Sequence, residues 1–491
     1  MPAEVVAKGS ILGKYVPARC VMAVLGSIGM AIVYYQNVNL GVAMVAMVNH
    51  TAIHENLSYT AYSKTLSNST ISNRRKDGPF DWDPNLQGTL LTCYFWGFLF
   101  QIPLARIAEN FSAKWLMFFS VAVNVVCSLL TPVLTKLHTG CLILLRVLQG
   151  VGGGASFPAM HVMIASWAPP KERTAMSTIV YVGTFVGTAL SILIGEFVLE
   201  RWGWESVFYV TGAFFYIWIG LWLILIQDNP NKQRFISPEE RQMINRSLGT
   251  EVNEDHHPAV PWKKVFKSSP FWAILIAHTC SNFSWHMFLV EIPFYIKYIL
   301  KFNVDRNATI SATLYSNMII FLISLGIILH CLQIKGKISA TGARKIATSV
   351  SSLVPGACLI ILCFIGCQQD EAVAVMTVGI LAMTAKIPGF LTNHIDIAPK
   401  YAGNLVALTN TVAILPGIVV PIFVALITDG YKSIGGWHII FGVTIFLFAV
   451  EFVVFVKFGS GKEQSWNKTP EENEDEQIPL RKINNFKSLL R

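Results

Sequence analysis

The sequence predicts an all-α membrane protein with twelve spanning helices, on three observations. Between Cys20 and Phe458, mostly apolar stretches of about twenty residues or more recur twelve times, each bounded by charge, Pro or Gly. Of 491 residues, 53% are hydrophobic and only 14% charged, too few charges to coat a water-soluble globule. The mean hydropathy of +0.50 agrees. A hydrocarbon core about 30 Å thick leaves backbone N–H and C=O groups no partner but the segment itself, so each stretch must be a helix.

The first six spans are read as Cys20–Val48, Leu86–Ala105, Trp115–Thr135, Cys141–Ser166, Thr174–Leu199 and Ser206–Ile226. Six more follow a polar break: Phe271–Ile299, Ile310–Leu332, Lys345–Cys367, Ala372–Thr392, Ala402–Ile427 and Gly435–Phe458. This divides the chain into an N-terminal segment 1–19, a six-helix unit 20–226, a linker 227–270, a second unit 271–458 and a disordered polar tail 459–491. In the linker, Ser237-Pro238-Glu239-Glu240 supplies an N-cap, a first-turn proline and first-turn acids, predicting a short amphipathic helix on the membrane surface.

The formal net charge of +9 does not indicate nucleic-acid binding, because the Lys and Arg residues sit in short connections and not on one stripe or tail. Counted loop by loop they place both termini in the cytoplasm. The 49–85 loop is then external and carries sequons at Asn49, Asn56 and Asn68, with another at Asn307. Of these, Asn56, Asn68 and Asn307 are the expected glycosylation sites, Asn49 lying too near the membrane. The nine cysteines show neither a disulfide framework nor metal spacing, and no Walker motif, catalytic triad or zinc signature occurs. The chain is therefore expected to be no enzyme and to hold no cofactor beyond a co-transported Na+ or H+. Its expected partners are a small anion and membrane lipid, and it is expected to be a monomer.

An ionisable side chain at bilayer depth costs at least ~2.5–3.5 kcal/mol and so marks function. Arg146, in the fourth span beside Gly150, Gly152, Gly153 and Gly154, has the donor fork that suits a carboxylate or phosphate. An internal charge pair is the competing reading. His161, three residues after Pro158, is a second candidate, against a packed structural histidine. Glu291, two residues before Pro293 in the seventh span, is the candidate acid for ion coupling. Glu196, Lys297, Lys386 and Glu451 fall nearer to span ends and are discounted. Gly183 and Gly187, Pro388-Gly389, and Pro416-Gly417 with Pro421 mark close helix contacts or breaks.

Several blocks resemble the anion:cation symporter family of the major facilitator superfamily, the branch with sialin, the vesicular glutamate transporters and the type I sodium–phosphate cotransporters. They are Asn39-Leu40-Gly41-Val42-Ala43-Met44, Asp81-Trp82-Asp83 with Gln87-Gly88, Leu145-Arg146, and Phe157-Pro158-Ala159-Met160-His161. Further along come Trp167-Ala168-Pro169-Pro170-Lys171-Glu172-Arg173, Asn393-His394-Ile395-Asp396-Ile397-Ala398-Pro399 with Tyr401-Ala402-Gly403, and Asn410-Thr411 with Pro416-Gly417. The wording is nearest to sialin-like proteins and insect proteins named as inorganic phosphate cotransporters. The resemblance implies two six-helix bundles, a central anion site lined by Arg146, His161, Asn37 and Gln149, and alternating access.

Three departures qualify it. Asn37 stands where the family places a first-helix arginine, Gln149 and Gly153 replace two glutamates, and the turn after the second span reads Ala105-Arg106-Ile107-Ala108-Glu109-Asn110. One substrate cation and both carboxylates usually tied to proton coupling are missing. The expected function is secondary active transport of an organic anion or phosphate, driven by sodium, protons or membrane potential. The contrasting expectation is a non-transporting receptor or scaffold with the same fold. The plasma membrane is favoured over endosomal or lysosomal membranes because no acidic dileucine signal is evident.

Overall fold

The structure is a computed structural model that describes residues 16–49, 78–249, 259–291, 295, 308–365, 369–428 and 434–468. The expected glycosylation sites Asn56, Asn68 and Asn307 lie outside the described residues. Twelve helices occupy the twelve expected places. Six form the first half: α1 (Ala18–Met47), α2 (Pro84–Gly97, running through a tight turn into Gln101–Asn110), α3 (Ala113–Leu137), α4 (Thr139–Trp167), α5 (Arg173–Trp202) and α6 (Trp204–Leu225). The second half has α7 (Ser269–His286, then a wide turn Met287–Glu291), α8 (Ala308–Ile334) and α9 (Ala340–Ile365). It continues with α10 (Gln369–Met383, broken at Thr384–Leu391, resuming at Thr392–Ile397), α11 (Pro399–Tyr401, Ala402–Ala413, Leu415–Ile427) and α12 (Ile434–Phe458). Apart from α7, whose upper end reaches residues not described, all are long and apolar enough to cross a bilayer.

Helix starts follow local chemistry. Asp83 Oδ1 accepts from Leu86 N at 2.9 Å ahead of Pro84, Ser112 Oγ accepts from Trp115 N at 3.1 Å, and Ser237 Oγ accepts from Glu240 N at 3.1 Å. The last opens the linker helix Pro238–Leu248, which ends at Gly249 with φ 69°. Glu240 then accepts from Ala18 N at 2.8 Å and pairs with Arg19 at 2.8 Å, tying the linker to the start of α1.

In the first bundle α1 lies on α5, and α4 lies on α2 and α3; in the second, α9 meets α10 and α12, and α12 also meets α7. The α1–α5 crossing depends on Gly183 and Gly187, whose missing Cβ atoms would collide with the carbonyl oxygens of Ser27 and Ala31. Two glycines one turn apart let the backbones touch, which is how helices associate where no hydrophobic force separates lipid from side chain. The bundles join along α5–α8 and where α11 meets the lower half of α2 and α4, on the face where α1 begins. That face is called the base.

Several helices run further than hydropathy suggested. α2 extends to Asn110, α9 begins at Ala340 and α10 continues to Ile397, so Arg106, Glu109, Arg344, His394 and Asp396 are helical and not in connections. A transfer scale ends a span at its first charges, whereas partnered charges continue the helix. The tail is corrected in the same way over Gly459–Lys468. Gln464 N donates to Ile397 O at 2.9 Å, Lys400 N to Asn467 Oδ1 at 3.1 Å, and Trp466 stacks on Tyr401 at 6.3 Å, so this stretch is folded against the base.

Replacing Gly187 by Ile should separate α1 from α5. The expected cost is about 1–3 kcal/mol, read as a lower melting temperature of the detergent-purified protein, with Gly220→Ile, whose surroundings are open, as the control.

Candidate functional site

Arg146 lies about 10 Å below the upper end of α4, counting seven residues from Thr139. It is 2% exposed. Nη1 donates to Gln36 O at 3.1 Å and to Gln149 Oε1 at 3.0 Å, and Nη2 donates to Asn37 O at 3.0 Å. The guanidinium lies over the Tyr94 ring, 5.0 Å from its centroid. Three of its five N–H donors are thus used, and Nε–H has no acceptor. Among the described residues no carboxylate comes within ion-pair distance of Arg146. Among the described residues, the internal charge pair that competes with an anion-binding role has no acid to form it.

Three of the expected lining residues therefore gather here, in roles sequence alone did not assign. Asn37 holds Arg146 through its backbone carbonyl. Gln149, also buried, accepts from Arg146 and donates through Nε2 to Asn124 O at 3.1 Å, so it orients the guanidinium. Tyr94 was not foreseen. It needs the glycine at 153, since a Cβ there would overlap the Tyr94 hydroxyl, and Gly150 packs on the Tyr94 backbone in the same way. The departures at 149 and 153 belong to one construction: an amide replaces an acid beneath Arg146, and an absent side chain admits a ring above it. A glutamate at either place would have paired the cation or displaced the ring.

His161 is not part of this site. It lies fifteen residues further along α4, about 22 Å at 1.5 Å per residue. Its ring contacts Phe157 O at 3.0 Å, the Tyr181 hydroxyl, and Leu391 O of α10 at 3.1 Å; His394 lies edge-on at 5.6 Å. The reading that puts it in one cavity with Arg146 is corrected: His161 joins the two bundles near the base. Glu291, 1% exposed, sits at the upper end of the wide turn that follows α7.

The base is closed by a second polar cluster. Arg344 Nε pairs with Asp396 Oδ2 at 2.6 Å, and Arg344 Nη1 donates to Pro388 O at 2.7 Å and to Thr174 Oγ1 at 3.0 Å across the bundle boundary. Arg173 of α5 reaches Asp396 at 3.5 Å and Ile395 O at 3.2 Å. Nearby, Glu109 accepts from Asn404 N at 2.9 Å and from the Asn404 side chain, while Asn410 donates to Gln101 at 2.8 Å. The break in α10 makes this latch. Gly389 has ψ −123°, outside helical values, and a Cβ there would lie 2.7 Å from Thr348 Oγ1. Interrupting the helix frees the carbonyls of Pro388 and Leu391 for Arg344 and His161. The sequence marked Pro388-Gly389 as a break; it did not say what the freed carbonyls bind.

Asp396→Asn removes the acceptor shared by two arginines. Breaking a buried ion pair from one side costs about 3–5 kcal/mol, here charged to the base-closed state. Expected are faster labelling of an engineered cysteine on the lower half of α5 and a fall in any turnover. Unchanged labelling would show that the latch does not hold the base shut.

The chain matches the family description "Major Facilitator Superfamily" over residues 26–421. It is 34% identical to human sialin over 451 residues, covering 91% of this chain and 90% of that protein. It is equally 34% identical over 463 residues to a Drosophila ananassae protein named "Putative inorganic phosphate cotransporter", covering 92% of this chain and 94% of that one. To the bovine vesicular glutamate transporter 2 it is 31% identical over 468 residues, covering 94% of this chain and 77% of that protein. Two solved structures share the fold. The proton:xylose symporter XylE has a TM-score of 0.61 at 13% identity, covering 91% of this chain and 97% of that one. FucP in its outward conformation has a TM-score of 0.59 at 11% identity, covering 90% and 100%. The chain belongs to the Major Facilitator Superfamily, in the branch that holds sialin, the inorganic phosphate cotransporters and the vesicular glutamate transporters.

Proposed function

We propose that this protein carries a small organic anion or inorganic phosphate across a membrane by alternating access, with Arg146 as the cation that grips the anion. The observation that carries this is a buried guanidinium with donors to spare and, among the described residues, no acid within ion-pair distance. Taking a charge out of water costs several kcal/mol unless something pairs it, and only a mobile anion is left to do so. The names of the relatives, sialin, phosphate cotransporter and glutamate transporter, all describe handlers of anions. A decayed scaffold does not account for the site equally well, since Gln149 and Gly153 are fitted to Arg146 and Tyr94. Sodium, protons and membrane potential remain the candidate driving forces, with Glu291 the candidate coupling acid. With the basic base face in the cytoplasm, both termini are inside and the closed base corresponds to an outward-open state, at the plasma membrane.

Purified protein in liposomes should accumulate a labelled anion from a panel of carboxylates and phosphate. Arg146→Ala should lower uptake at subsaturating substrate about tenfold to a hundredfold, the loss of one or two charged hydrogen bonds; uptake equal to wild type removes Arg146 from the mechanism. Gln149→Glu should also raise KM about tenfold, because it places a fixed carboxylate 3.0 Å from the cation.

A further inference from the structure

Lys386 and Glu451, set aside as span-end residues, lie inside the second bundle. Lys386 lies within the broken stretch of α10, with seventeen residues of α10 above it and eleven below, near mid-depth of the helix. Glu451 is fully buried in α12. The tenth span, drawn five residues short at Thr392, made Lys386 look peripheral; Glu451 is enclosed by neighbouring helices although it lies toward the end of α12.

The Lys386 ammonium lies over the indole of Trp285 in α7, 4.1 Å from its centroid. Trp285 in turn meets Phe185 of α5 at 6.2 Å, so this pair sits where the two bundles face each other. An ammonium carries three N–H donors, and a ring face satisfies charge but none of them in the usual way. Among the described residues Lys386 donates to no oxygen. As a residue it is only partly covered. The nearest acid it senses is Glu451, which lies beyond ion-pair distance and uses one oxygen for Ser351 at 3.2 Å while the other has no partner.

We propose that Lys386, seated on Trp285, is the second-bundle half of the anion site, taking a carboxylate or phosphate oxygen, with Glu451 balancing its charge when no anion is bound. This rests on the transport reading and deepens it. The first bundle offers Arg146 and the second offers Lys386, so the chain regains by another route the cation it lacks at Asn37. A positive charge that already had its acid would be a structural pair. Here the geometry keeps acid and base apart and leaves the ammonium one ligand short.

A structural role and a binding role separate in a double-neutral test. If Lys386 exists only to balance Glu451, Lys386→Met should fail and Lys386→Met with Glu451→Gln should recover. If it grips the anion, the double variant stays defective while Lys386→Arg keeps activity. The readouts are thermal stabilisation of the purified protein by inorganic phosphate, lactate or glutamate, and liposome uptake of the same three. Expected is at least a tenfold weaker response to whichever anion stabilises wild type, in both Lys386→Met and the double variant, with melting temperatures without ligand near wild type for the double variant. A wild-type response in the double variant overturns the proposal, as does the absence of any anion-dependent shift in wild type. Anion binding that depends on Lys386 without uptake would instead overturn the transport reading and leave this site standing.

Discussion

A full positive charge held out of water at Arg146, with carbonyls and an amide for company and no acid among the described residues, is the constraint around which the first bundle is arranged. Carbonyl oxygens can orient a guanidinium but do not cancel its charge. The surroundings are built to tolerate this: Tyr94 lends its ring face, Asn124 steadies Gln149, and Gly150 and Gly153 bring α2 close enough for the ring to arrive. Each supporting contact needs either a small residue or a neutral one at a defined position. The glycine run of α4 is therefore the means by which the charge is housed, as well as a helix-packing device.

The base shows what the same residue type looks like when its charge is satisfied. Arg344 and Arg173 share Asp396, and Arg344 also finds a freed carbonyl and a hydroxyl across the bundle boundary. Arg344 Nη2 and Arg173 Nε find no acceptor, but both cations have an acid to share, and the cluster's consequence is mechanical, joining α5 to α9 and α10. An acid partner at Arg344, and none for Arg146 among the described residues, distinguishes the latch from the candidate site on physical grounds. His161 falls on the latch side for a different reason: both of its ring nitrogens have partners and one of those partners lies in the other bundle.

The twelve spans were legible because apolar length is a strong signal, and Arg146 was legible because a lone cation in such a run is expensive. What escaped notice follows from one weakness of that signal. Hydropathy ends a helix at its first charges, so Arg344 and Asp396 were left outside their spans and Lys386 at a margin when each is helical, while Glu451, near the true end of its span, is buried by packing that hydropathy does not report. Sequence also reports that a residue is present without saying which of its atoms is used. Asn37 serves through its carbonyl, and Tyr94 carried no mark because an aromatic in an apolar run is ordinary. Gly153 held the missing information, since a glycine in place of an acid implies that something occupies its space.

The latch sets a lower bound on what any ligand must do. Opening the base ruptures the bonds of Arg173 to Ile395 and Asp396, His161 to Leu391, Arg344 to Thr174 and Asn404 to Glu109 together, because Leu391, Ile395 and Asp396 lie within about two turns of α10 and move as one element. At about 0.5–1.5 kcal/mol net for each hydrogen bond, the closed base is favoured by several kcal/mol. Moving such an equilibrium from 1:99 to 99:1 takes about 5.5 kcal/mol of differential affinity, and a ligand held equally well in both states supplies none. An anion touching only Arg146 rides with one bundle and meets the same contacts before and after rocking. An anion that also meets a group of the second bundle senses the change in their separation and can favour one state. The strength of the latch thus requires the site to straddle the bundles, and a cation on α10 beside the break stands where that requirement is met.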